Sequence, residues 1–390
     1  MQSRWMVLAL VVVTRTAMAF QFQSAPAVGP LLVADLELSY AQLGTLIGLY
    51  LLPGAFLAMP GGLLGARFGD RAVVLSALGL MTLGGVALAE GASWPAVAAG
   101  RLVSGAGGVL LNMQLAKMVT DWFAGRELAT ALGFMLAPWP VGIALSLVVL
   151  GTLGVATTWR TAMVVPPLFA ALSFFLMLFL YRGPARETQD GGRAGRRWWT
   201  ITGREIVLVV VATSAWVVLN AGLILMLSFG PKLLVERGFD PARANLVVSW
   251  ASFLSVTTVL GGVLLDRVPW RDAVITTGLV GAAAATGAFT LGGPVTLWSA
   301  LVGIFVAPAP GVVALPGEVL APASRSTGFG LFYALFYAGM AVAPVAAGYL
   351  VDRGGGAAAL WLAAILWLLT LPALWLFRLL QRRWTVTSPR

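Results

Sequence analysis

The chain of 390 residues contains neither cysteine nor histidine. Without thiols there are no disulfides and no thiolate metal sites. Without imidazole there is no His nucleophile, no His metal ligand and no His proton relay. Charge is scarce as well. Only 10% of residues are Asp, Glu, Lys or Arg, and 59% are hydrophobic, whereas a soluble domain carries about 25% charged residues. The polar residues needed to coat a soluble surface of this size are missing. In their place stand apolar runs of about 20 residues, the length that crosses a bilayer. The expected class is an all-α membrane protein. The net charge of +10 is spread over short loops rather than gathered into one patch, so lipid head groups, and not nucleic acid, are the expected neighbours. No catalytic constellation, cofactor motif or metal-ligand cluster stands out, and neither an enzyme, a cofactor nor a metal is expected.

The carboxylates show a further gap. All 15 Asp and Glu fall in loops or at the ends of apolar runs. A cationic substrate usually needs a buried counter-charge, and proton coupling by a carboxylate needs a titratable group in the pathway. The sequence supplies neither.

What it does supply is a repeat. Gly61, Gly62, Leu64, Arg67 and Arg71 return as Gly261, Gly262, Leu264, Arg267 and Arg271, all at an offset of 200 positions. Five identities at one offset point to two copies of one half. The apolar runs divide into twelve spans, about 5–27, 41–65, 72–90, 96–119, 128–152, 161–181, 206–229, 244–265, 272–291, 295–316, 326–350 and 357–379. Arg4, the following apolar run and Ala17-Met18-Ala19 resemble a signal peptide with its cleavage site. The apolar run continues past Ala19, however, and the repeat needs six spans before its midpoint, so the segment is read as span one. The expected organisation is a first six-helix bundle (1–181), a linker (182–204) and a second bundle (205–390). The linker is polar and arginine-rich, with Trp198-Trp199 as a candidate interfacial anchor.

Orientation follows from the loops. Arg67, Arg71, Arg126, the linker arginines, Arg267, Arg271, Arg325 and Arg378 share the side of the termini. Only Arg160, Lys232, Arg237, Arg243 and Arg353 fall on the other side. The positive-inside rule then puts both termini in the cytoplasm and the protein in the inner (plasma) membrane. A monomer is expected.

Twelve spans in two halves, a basic central loop, and a glycine-arginine signature after the second and eighth spans resemble the major facilitator superfamily. So do Arg101-Leu-Val-Ser-Gly105-Ala-Gly107 in span four, Asp121-Trp122-Phe123 through Arg126-Glu127 to Ala131-Leu132-Gly133, and Thr158-Trp159-Arg160. The acidic position of the signature is Ala66 in the first copy and Asp266 in the second, and the Gly-Pro ending of the span-five antiporter signature is absent. The resemblance implies two six-helix bundles rocking about a midplane site, with spans 1, 4, 7 and 10 lining the path. It assigns a gating role to Gly62, Arg67, Arg71, Asp266, Arg267 and Arg271; alternatively these arginines only fix orientation.

Three basic residues lie inside spans. Arg15 sits near the middle of span one, Arg101 in span four, and Lys117 near the end of span four. An arginine at mid-membrane costs about 2.5–3.5 kcal/mol on insertion scales and normally faces a polar cavity. Its planar fork suits a carboxylate or small oxyanion. Arg15 is therefore the leading candidate for an anion site, with a strut to backbone carbonyls as the alternative. Arg101 suits a structural role as well as substrate contact, and Lys117 can snorkel to the interface. Gln21, Tyr50, Asn112, Gln114, Trp139, Trp216, Asn220, Tyr333 and Tyr337 are candidates to complete the cavity, together with Gln23. Arg101, Gly105, Gly108 and Asn112 form one helical stripe. The expected function is exchange or uniport of a small anion, inorganic or carboxylate, resembling the cyanate-permease-like branch through the arginine of span one. The alternative is efflux of neutral or amphipathic compounds, and a third class is a non-transporting receptor.

Overall fold

The computed structural model describes residues 3–59, 64, 67–123, 127–183 and 201–386. Gly62, Ala66, Arg126 and most of the linker, with Trp198 and Trp199, lie outside the described residues. Among the described residues there is no strand. Eleven helices are long and apolar enough to cross a membrane. They are α1 (Arg4–Ala27), α2 (Tyr40–Leu57), α3 (Asp70–Ala89), α4 (Trp94–Trp122), α5 (Thr130–Ala156), α6 (Trp159–Leu180), α7 (Gly203–Glu236), α8 (Pro241–Arg267), α9 (Arg271–Leu291), α10 (Val295–Val319) and a long final helix. The final helix, Arg325–Val386, breaks at Gly355, whose φ of 68° only glycine adopts at little cost. The break yields α11 (325–354) and α12 (356–386), and so twelve spans.

Local sequence explains where the helices begin. Ser39 and Gln42 form a capping box ahead of α2, and Thr202 and Glu205 form another ahead of α7. Thr158 caps α6, and the Asp240 carboxylate accepts from the backbone of Ala242 and Arg243 at the start of α8. Each side-chain oxygen takes N–H groups that the first turn leaves unpaired. Inside the spans, proline interrupts the ladder: α2 bends at Leu52-Pro53, α5 at Ala137-Pro138, and α10 is broken into three pieces near Pro308, Pro310 and Pro316.

Packing follows small residues. Lipid gives apolar helices no reason to associate, so association rests on close van der Waals approach. The backbones of α2 and α11 come so near that a Cβ on Gly44 would lie 2.1 Å from the Pro344 carbonyl oxygen. A Cβ on Gly48 would lie equally close to that of Ala341. The outward faces are apolar: Leu168, Phe175 and Phe179 of α6 are all exposed, as a lipid-facing surface requires.

Candidate functional site

Arg15 lies in the middle of α1 and is only 8% exposed. Its Nη1 donates to the side-chain oxygen of Asn112 on α4 at 2.5 Å. The amide nitrogen of Asn112 donates in turn to the Tyr337 hydroxyl on α11 at 3.0 Å. One neutral side chain thus joins two helices of the first half to one of the second. The Arg15 guanidinium also stands 5.9 Å from the ring centre of Trp139 on α5, and its Nε has no hydrogen-bond partner. Every described Asp and Glu sits at a helix end or in a loop, so no described carboxylate answers this charge. Burial without a counter-charge leaves a strong positive potential at mid-membrane.

Aromatic rings surround this centre. Trp139 stacks on Phe22 at 5.4 Å, and Phe22 meets Tyr50 edge-on at 5.5 Å. In the second half Tyr337 adjoins Phe336 at 5.4 Å, and Phe336 adjoins Trp216 at 6.2 Å. Tyr333 is within electrostatic reach of Arg15.

Arg101 has a different setting. It is fully buried, and it donates Nε to the Leu46 carbonyl (2.9 Å), Nη1 to that of Gln21 (2.8 Å) and Nη2 to that of Phe22. Its guanidinium lies 4.6 Å from the Tyr50 ring centre. The Phe22 carbonyl is available because Pro26, four residues on, has no N–H to give it. Gly105 and Gly108 leave room for Tyr50: a Cβ at either would come within 2.4 Å of it. The stripe from Arg101 to Asn112 is therefore a packing face that reaches the centre only at Asn112.

The other candidates divide. Gln21 donates to the Met81 carbonyl, Tyr50 to that of Met18 and Asn220 to that of Trp216 on its own helix. Gln114 and Lys117 both bond Asp70, at 2.5 and 2.9 Å, and Lys117 also pairs with Asp121 at 2.7 Å. That cluster lies toward the terminus-bearing end of the bundle, with Lys117 and Asp121 a turn or more beyond Asn112. Lys117 is thus held by ion pairs there, and the structure does not bring Gln114, Lys117 or the Arg101 guanidinium to Arg15.

The described residues of the glycine-arginine loops also lie at the terminus-bearing end. Arg71 donates to the Leu178 carbonyl of α6, and Arg67 stacks over Phe68. Asp266 and Arg271 approach only to 3.8 Å, both largely exposed, and Arg267 is exposed. A firmer contact was not visible in the repeat: Arg378 of α12 binds Asp272 with two donors at 2.9 Å and also pairs with Glu318 of α10. Asp70 and Asp272 both open a helix after their loop, but two positions out of the 200-residue register, which hides the correspondence.

The opposite end is sealed between the halves. The Asp352 carboxylate at the end of α11 accepts from the backbone N–H of Tyr40 and Ala41 at the start of α2, at 2.7 and 3.0 Å. Asn245 of α8 donates to the Ala27 carbonyl at the end of α1. Gln23 donates to the Leu227 carbonyl of α7, which Pro231 leaves free just as Pro26 frees Phe22. Nearer mid-membrane, Ser252 of α8 donates to the Pro140 carbonyl of α5 and joins the halves there as well. Asp352 gave no signal in the sequence, since its repeat counterpart is Thr152.

Comparison with known proteins agrees with this architecture. The chain is 26% identical over 253 residues to the hexuronate transporter of Bacillus subtilis, covering 61% of this chain and 59% of that protein. It is 26% identical over 320 residues to the 3-(3-hydroxy-phenyl)propionate transporter of Escherichia coli, covering 78% and 76%. A partially occluded inward-open structure of the xylose transporter XylE from E. coli superimposes with a TM-score of 0.74 at 16% identity, over 95% of this chain and 98% of that one. The family model of the Major Facilitator Superfamily matches residues 8–309 and 214–389. With its fold, its repeat and nearly its whole length accounted for, this multi-pass membrane protein belongs to the major facilitator superfamily.

Proposed function

We propose that this chain moves a small organic anion across the inner membrane by alternating access, with Arg15 receiving the anionic group. The observation that carries the reading is that, among the described residues, Arg15 pairs with a neutral amide and with no carboxylate. A guanidinium held in a low-dielectric interior without a carboxylate lowers its energy when an anion arrives, and its open Nε provides a further donor. Hexuronate and 3-(3-hydroxy-phenyl)propionate, named for two relatives, are both organic anions. Arg101, Gln114 and Lys117 then act as structural or gating residues. The positive-inside rule favours termini and a 182–204 linker in the cytoplasm; with that orientation the sealed end faces outward and the carrier stands with its outer gate shut. With no carboxylate at mid-membrane among the described residues, exchange or uniport suits the path better than proton symport.

The test is a thermal-shift screen of the purified chain against inorganic anions, carboxylates, and neutral and cationic compounds, since a ligand of the folded state raises apparent stability. Stabilisation by carboxylates that disappears in Arg15→Gln supports the reading. Stabilisation by neutral or cationic compounds alone sinks it in favour of efflux of amphipathic molecules.

A further inference from the structure

We infer that the anion is an aryl carboxylate, whose carboxylate takes the place of the Asn112 oxygen on Arg15 while its ring lies against Trp139. This rests on the anion reading of Arg15 and narrows it.

The argument begins with polar capacity. A sugar acid carries a carboxylate and several hydroxyls, and each hydroxyl taken out of water needs a partner. Around Arg15 the amide donors and the second arginine are already committed. Asn112 donates to Tyr337, Gln21 to Met81, Arg101 to three carbonyls and Asn220 to Trp216. Beyond the guanidinium the neighbourhood offers the Tyr333 and Tyr337 hydroxyls, the Gln21 side-chain oxygen and, in far larger measure, π surface. The rings run in two sets that meet at Arg15 and Tyr337, one from Tyr50 through Phe22 to Trp139, the other from Tyr337 through Phe336 to Trp216. Trp139 and Trp216 both keep part of their surface accessible, while Phe22 and Tyr50 behind them are closed. A ligand therefore meets the accessible part of an indole first.

Geometry links the two requirements. The Arg15 guanidinium carbon lies 5.9 Å from the Trp139 ring centre. That is the distance at which a cation sits over an aromatic face, and it leaves the two groups close enough to be spanned by one short molecule with an anionic end and a flat body. The Asn112 oxygen marks where a carboxylate oxygen would sit on Nη1, and the partnerless, buried Nε leaves a further donor on the other edge of the guanidinium. Displacement of the amide also releases Asn112 from its bond to Arg15 and loosens its hold on Tyr337 across the halves, so ligand binding bears directly on the contact between α4 and α11.

The experiment is calorimetric titration of the purified full-length chain with 3-phenylpropionate, 3-cyclohexylpropionate, glucuronate and nitrate. The two propionates match in charge and nearly in size, so their ratio isolates the ring. Aromatic pairing predicts a 3- to 10-fold preference for phenyl over cyclohexyl, and at least tenfold over glucuronate and nitrate. Trp139→Leu should erase the phenyl advantage while Arg15 still binds the carboxylate. Trp139→Phe keeps a ring, should keep most of the preference, and guards against a misfolded leucine variant. Glucuronate or nitrate binding as tightly as 3-phenylpropionate, or a phenyl-to-cyclohexyl ratio unchanged by both substitutions, overturns the aryl assignment. If that binding is still lost in Arg15→Gln, the anion reading survives. Binding of no anion by the parent chain overturns both.

Discussion

The Arg15 guanidinium donates to the Asn112 side-chain oxygen at 2.5 Å, between helices whose residues lie 97 positions apart in sequence. Asn112 satisfies one donor and leaves the charge whole. A carboxylate in its place would satisfy both. Asn112→Asp should therefore build an internal ion pair that competes with substrate, lowering anion affinity at least tenfold while the protein folds normally. Asn112→Ala, which frees the donor, should keep affinity within a few fold. Titration of both variants against the anion found in the screen distinguishes the cases. Equal affinity in Asn112→Asp and the parent would place the anion away from Arg15.

Arg15 and Arg101 should fail differently when replaced. Arg15→Gln should abolish anion binding with little change in expression or helicity, and Arg15→Lys should recover little, because a point ammonium replaces a planar fork. Arg101 serves three buried carbonyls. Arg101→Ala strands them, at a cost on the order of 3 kcal/mol. A lowered melting temperature, with affinity unchanged in the fraction that remains folded, is the expected result. The opposite pattern, normal stability with lost binding, would make Arg101 a substrate residue.

These contrasts show how far the sequence could be read. The spans were legible because apolar runs of bilayer length have one stable solution in lipid, and Arg15 was legible because a lone charge in such a run is costly. Asn112 could be placed on a helical stripe, but its partners on α1 and α11 depend on how three helices meet. The Arg101 partners had a sequence signal that passed unused: Pro26 announces a carbonyl at Phe22 with no helical donor. The i,i+4 spacing of Lys117 and Asp121 was likewise readable, whereas Asp70 reaches them only through the packing of α3 on α4. The closeness of Gly44 to Pro344 and of Gly48 to Ala341 was invisible, since nothing in either segment names its neighbour.

The seal at Asp352 should be measurable through a single cysteine, because the chain has no other. The carboxylate takes two N–H groups at the start of α2, and losing such a cap costs about 1 kcal/mol. That shifts a two-state gate by roughly fivefold. With Ser24→Cys, buried behind the seal, Asp352→Ala should raise labelling by a membrane-impermeant thiol reagent from the far side about fivefold. An unchanged rate would mean that Asp352 holds only the local helix end.

The orientation has a direct check. Protease added to inside-out vesicles should cut within 182–204, and protease on the opposite face should not. Cleavage from the outer face alone reverses the topology and the sense of the sealed gate.

The terminus-bearing end should govern rate rather than affinity. Arg378 bridges Asp272 and Glu318, and Arg378→Ala leaves two carboxylates without their shared cation. All three side chains are partly exposed, so the energy involved is modest, roughly 0–1 kcal/mol per pair, enough for a few-fold change in the balance of states. Transport should slow by that factor, with equilibrium affinity at Arg15 unchanged. Asp266→Ala tests the same end in another way. Its approach to Arg271 is 3.8 Å with the carboxylate 83% exposed, so the contact holds little in the state seen here. Slowed transport in Asp266→Ala would then report a contact made in the other state, when this end closes, and Arg71→Ala should behave alike. Rates in reconstituted vesicles alongside binding titrations separate the outcomes. Loss of binding in any of the three variants, with the fold intact, would tie this end to the substrate itself and contradict a purely conformational role.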